Sequence, residues 1–237
     1  MNPYQKLQNR KRTWTPVQTT AGTVRDGSQE TIYRALAMRH MELPVGEFIR
    51  DAITTDVPVL ARDLLQSNIK DEENHDLALS YIANAIGTDA EAEAEVLRLR
   101  TAWEAHPDHT ILKALVAERA IFFVLLPFFR FNGDAGLRTV SADISRDEQV
   151  HVAANSLVCK EMGLEISPSL DKLRKATINW VMSPLKASTN KYLDKKFWLD
   201  QSDALMYQGK APELNETKRG RMISFFEHAN VNLPQYG

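Results

Sequence analysis

The chain has 237 residues, 43% of them hydrophobic and 25% charged, which is enough apolar material for one sizeable core. Its formal net charge of -2 argues against a nucleic-acid or acidic-membrane partner, and its longest apolar run, residues 120–129, is about half of what a membrane span requires. The one cysteine, Cys159, excludes an intrachain disulfide and suits a cytoplasmic protein.

Residues 1–27 are polar and locally basic at Lys6, Arg10, Lys11 and Arg12. Without the apolar stretch of a secretory signal, they read as an irregular, loosely attached arm. From residue 28 onward the pattern is that of one helical domain, with a core over 28–163 and accessory helices over 164–237. The spacing predicts helices over 29–43, 46–54, 57–86, 90–105, 109–131 and 135–163, then over 169–182, 186–207 and 216–229. Asp56 followed by Pro58 reads as the cap and first turn of the third helix, and Gly87 as its end. Pro107 with Asp108, the Asn132, Gly133, Asp134 turn, Gly163 and Pro184 punctuate the rest. No stretch alternates as a strand and no period suggests a solenoid, so the expected class is all-α.

Four of these helices interrupt an apolar stripe with a carboxylate. In 29–43, Thr31, Ala35 and Met38 lead onto Glu42. In 57–86, the stripe Leu64, Asn68, Leu79, Ile82 carries Glu72 and His75. In 109–131, Glu118 sits between Leu115 and Phe122. In 135–163, Glu148 and His151 follow Leu137, Val140 and Ile144. Residues three apart share a helix face, so each Glu-x-x-His pair can converge on one point. A core does not accept four uncompensated carboxylates. Two divalent cations would neutralise them, and two imidazoles would complete the shells. One Glu from each of two helices with Glu-x-x-His from two others is a dimetal carboxylate arrangement, and oxygen-rich ligation with one imidazole per ion favours iron or manganese. Glu47 competes with Glu42 for the first position but falls off the stripe. His106 and His109 belong to a turn, His228 to an amphipathic tail helix, and His40 points well round its helix from Glu42.

The segments "DEENHDLALSYI", "AERAIFF" and "SRDEQVH" resemble three ligand-helix motifs of the ribonucleotide reductase small subunit and its relatives in the ferritin-like superfamily. The resemblance spans roughly residues 30–160. It implies a ferritin-like helical bundle with a dimetal site in its core and extra C-terminal helices. Glu42, Glu72, Glu118 and Glu148 would be the carboxylate ligands, with His75 and His151 the imidazoles. Asp147 matches the family's carboxylate that hydrogen-bonds a ligand histidine, and Trp14 in "RTWTP" resembles a tryptophan ahead of the first ligand helix. The family's radical-storing tyrosine falls at Leu79, and Tyr81 points elsewhere.

The resulting expectation is a cytoplasmic, homodimeric oxidoreductase that activates O2 at two ions per chain, Fe/Fe or Mn/Fe. It would be served by an electron donor and would act on a small-molecule substrate in a cavity that Leu79 helps to line. The alternative is a divergent reductase small subunit that lacks the tyrosine and needs a large-subunit partner. Iron oxidation and storage, as in bacterioferritins, shares the ligand order but not the residues beyond Gly163. A metal-free helical interaction module leaves the buried carboxylates unexplained.

Overall fold

A short N-terminal helix, α1 (Pro3–Gln8), opens with a capping box in which Asn2 accepts from the Gln5 N–H at 2.8 Å and Gln5 accepts from the Asn2 N–H. The structure is a computed structural model that describes residues 1–214, and the elements it defines among them are helical. α2 (Gln29–Ala37) passes through a 3-10 turn (Met38–Met41) into α3 (Glu42–Thr55). The helix expected over 29–43 therefore ends early, and Glu42 starts the next one. Pro44 does not break the chain there, because it occupies the first turn of α3, where its missing N–H removes no intrahelical bond.

Asp56 closes α3 rather than capping its successor. A 3-10 turn (Val59–Ala61) intervenes before α4 (Arg62–Ile86), which has no side-chain cap and stops at Gly87, φ +99°. α5 (Ala90–Glu104) is capped by Asp89. The helix expected over 109–131 is α6 (Thr110–Ala117) and α7 (Phe123–Asn132), with a π-helical segment (Glu118–Phe122) between them. α8 (Ala135–Glu161) starts from Asp134, whose carboxylate accepts from the Leu137 N–H at 2.8 Å. α9 (Pro168–Met182) has Ser167 as cap and Pro168 in its first turn.

The helix expected over 186–207 starts later. Asn190 and Asp194 draw backbone N–H groups into a 3-10 turn (Lys191–Leu193) and a cap, so α10 covers only Lys195–Gln208, with Gly209 at φ +70° behind it. The helix expected over 216–229, with His228, lies outside the described residues.

α3 packs along α4, α4 along α8, α8 along α6 and α7, and α6 back along α3, closing a helical bundle. Ile49, Leu64, Leu65, Phe128, Leu137 and Ile144 are buried in it. α9 and α10 pack on the outside of the π segment. The N-terminal arm is not loose. Lys11, Arg12 and Trp14 bond to Asn68, Asp143 and Asp147 on α4 and α8, because these acidic and amide groups meet the arm's basic residues once the helices lie side by side. Among the described residues no helix is long and apolar enough to cross a membrane.

Candidate metal centre

The apolar periods of α3, α4, α8 and the π segment turn six polar side chains into the middle of the bundle. Glu42, Glu72, His75, Glu118, Glu148 and His151 are each no more than 1% exposed. Donor atoms of Glu42, Glu72, His75 and Glu148 lie within 4.8 Å of one another, as do those of Glu72, Glu118 and His151. The ring of His75 sits 5.6 Å from that of His151, centroid to centroid.

The geometry divides into two halves that share two carboxylates. His75 Nδ1 faces Glu148 Oε1 at 3.3 Å, Glu72 Oε2 at 3.4 Å and Glu42 Oε2 at 3.7 Å. His151 Nδ1 faces Glu72 Oε1 at 3.0 Å, Glu148 Oε1 at 3.7 Å and Glu118 Oε1 at 3.9 Å. Glu72 thus turns one oxygen to each imidazole. Glu42 belongs to the His75 half and Glu118 to the His151 half. Glu47, the competitor for the first position, is exposed and ion-paired with Arg50.

Each imidazole is held from behind by a carboxylate from the opposite helix. His75 on α4 reaches Asp147 on α8 at 3.4 Å, and His151 on α8 reaches Asp71 on α4 at 2.9 Å, in both cases through Nε2. In the neutral ring, donating Nε2–H outward to the carboxylate would leave the Nδ1 lone pair pointing inward, the tautomer a metal requires. The arm then secures both carboxylates. Trp14 Nε1 donates to Asp147 at 2.5 Å and stacks near the His75 ring, while Lys11 pairs with Asp71 at 2.5 Å. Asp71 is not singled out by the spacing of ligand residues, although it precedes Glu72 as Asp147 precedes Glu148. Neither is Asn155, whose Nδ2 donates to Glu118 Oε2 at 2.7 Å.

The electrostatics are those of a site short of positive charge. Burial pushes the Glu42, Glu118 and Glu148 carboxyls up, and their carboxylate neighbours add to the effect. Burial works the same way on Glu72, but the two imidazoles outweigh it and hold this carboxyl below the usual range. Burial disfavours charge on His75 and His151, yet the surrounding carboxylates raise both well above an ordinary imidazole.

Beyond facing one another, the inward atoms have no partner among the described residues. Glu42 Oε2, both oxygens of Glu72 and Glu148, Glu118 Oε1 and Nδ1 of both histidines are buried without a hydrogen bond. Buried polar atoms are almost always satisfied, and here eight unsatisfied ones converge from four helical elements. Such a set could hold metal ions, with oxygen and nitrogen donors and no sulfur.

The remaining histidines serve local structure. His109 caps α6 and bonds Asp56, His106 bonds Ser169, and His40 pairs with Glu93. Leu79 is buried in the apolar core one turn beyond His75, and it does not line the large 570 Å³ cavity that opens beside Phe123, Gln149 and Leu205. No protein-family model, no curated protein and no solved structure matches this chain.

Proposed function

We propose that the protein is a ferritin-like dinuclear metal carboxylate oxidoreductase that activates O2, with Fe/Fe or Mn/Fe held by Glu42, Glu72, His75, Glu118, Glu148 and His151. The convergence of buried donor atoms that have no other partner carries this reading. A thiolate site of the zinc type is disfavoured, since burial pushes the Cys159 thiol up to about 12 and Cys159 belongs to neither donor group.

When bound, such a pair of ions supplies the Lewis acidity and the electrons for reduction of O2. The chain's own contribution is positioning and charge. Glu72 and Glu148, which face both imidazoles, would serve both ions. Glu42 would hold an ion on the His75 side and Glu118 one on the His151 side, where Asn155 holds Glu118 in place. Asp147 and Asp71 keep both Nδ1 atoms aimed inward. Leu79, Phe122 and Leu125 are buried in the same apolar core.

A divergent ribonucleotide reductase small subunit is the second reading. The continuous contact from Trp14 through Asp147 to His75 favours it, since an oxidisable indole is tied by hydrogen bonds to the centre. Such a protein would act with a large-subunit partner, whereas the first reading requires an electron donor and a small-molecule substrate.

Elemental analysis after reconstitution with iron and manganese tests the shared premise. The expected value approaches two ions per chain, and a folded chain that stays below about half an ion would sink both readings. Electron paramagnetic resonance after exposure of the reduced, loaded protein to O2 separates them. O2 consumption without a tyrosyl signal is expected, given Leu79. A stable tyrosyl radical, or nucleotide reduction with a candidate large subunit, would promote the second.

A further inference from the structure

α3 contains an interior glycine that packing does not demand. Gly46 stands one turn after Glu42, on the face of α3 that meets α4. Its backbone is not in the left-handed region. A Cβ added there would lie 3.6 Å from Cβ and Cγ of Glu72 and 3.8 Å from Ile69 Cγ2, which is ordinary van der Waals contact. Alanine would therefore fit, and it would make a more stable helix. What glycine provides instead is space.

The missing side chain leaves a cleft of about 90 Å³ between α3 and α4, lined by Leu43, Gly46, Glu47, Arg50, Ile69, Glu72 and Glu73. That is room for a few water molecules. Its floor is the side chain of Glu72, the carboxylate shared by both halves of the centre, whose Cβ and Cγ face Gly46 and whose two buried oxygens lie behind them, turned to His75 and His151. Its rim is exposed and acidic. Glu47 is neutralised by Arg50, while among the described residues no ion pair engages Glu73. An exposed carboxylate at the mouth and the shared carboxylate of the centre just behind the floor favour a cation over a neutral or anionic visitor.

We infer that the α3–α4 cleft at Gly46 is the route by which divalent cations enter the centre, with Glu73 drawing the ion to the mouth and Glu72 receiving it. The inference rests on the proposed metal centre and adds the path into it. It assigns Glu73 a role in uptake, and it gives the helix-interior glycine a reason.

The test is the rate of metal uptake, measured by stopped flow on the full metal-free chain mixed with Fe(II) under anaerobic conditions or with Mn(II). Equilibrium stoichiometry is measured alongside. Gly46→Leu, whose side chain fills the cleft, is expected to reach the wild-type stoichiometry about ten-fold more slowly or worse. Gly46→Ala is expected to raise the melting temperature and slow uptake less. Glu73→Gln is expected to slow uptake a few-fold at low ionic strength and to weaken its salt dependence, because the steering charge is gone. If Gly46→Leu does not fold, the other two decide: unchanged rates in both overturn the route. Unchanged uptake in folded Gly46→Leu overturns it alone, with the metal centre intact. Absence of uptake by the wild-type chain would overturn the centre and the route together.

Discussion

Glu118→Gln separates charge from shape at the centre and is expected to move stability in opposite directions with and without metal. The carboxylate is completely buried, its one hydrogen bond comes from Asn155 Nδ2 at 2.7 Å, and its other oxygen faces His151 Nδ1 from 3.9 Å. Burial, then Glu148, pushes its pKa well above the ordinary 4.5. Without metal the folded protein favours the protonated Glu118 more strongly than the unfolded chain does, so stability falls as pH rises from the unfolded value toward the folded one. Within that window each pH unit costs at most about 1.4 kcal/mol. Glutamine keeps the hydrogen bond from Asn155 to its carbonyl oxygen and removes that penalty. The metal-free variant should therefore gain about 1–3 kcal/mol, a rise of roughly 2–10 °C for a chain of this size. The loaded variant loses a charged ligand and should be less stable than loaded wild type, since binding to the folded state stabilises by mass action. Thermal unfolding by calorimetry, with chelator and with saturating metal, reads both. A metal-free variant equal to or less stable than wild type would refute the claim that burial penalises the ionised Glu118.

Three further substitutions probe the surroundings. His151→Ala should lower the bound metal by elemental analysis whereas His109→Ala should not, because His109 only caps α6 and bonds Asp56. Asp71→Ala frees the His151 ring and is expected to weaken metal binding by about 10–100-fold in a competitive chelator titration; an unchanged affinity would mean that the ring is held by packing alone. Ser202 on α10 donates to the Ala120 carbonyl in the π segment at 2.7 Å and accepts from the buried Arg174 at 2.7 Å. Ser202→Ala removes both bonds while Arg174 keeps Asp171 and Asp203, and it should cost about 1–2 kcal/mol in chemical denaturation.

What the sequence determined by itself is local. The period of 3.6 residues and the i, i+3 spacing assigned Glu72 with His75 and Glu148 with His151 to inward faces, and those pairs meet at one point in the bundle. The charge argument needed no tertiary information either, since carboxylates on an apolar stripe require counter-charge wherever the stripe packs. Glu42 was placed correctly but for an incomplete reason. It starts α3 rather than ending α2, because a proline in a first turn is no break and the 3-10 turn before it is invisible to periodicity. The π segment at Glu118 was equally hidden. Its extra residue is supported by Ser202 and by Arg119, which donates to the Leu205 carbonyl, and both contacts come from α10 far along the chain. The crossed pairing of Asp71 with His151 and Asp147 with His75 exists only when α4 and α8 lie side by side, and the arm's hold on both carboxylates only after that. Short-range spacing is written in the order of residues. Which carboxylate steadies which imidazole, and where the helix must widen to present Glu118, depends on long-range contacts that form only when the bundle closes.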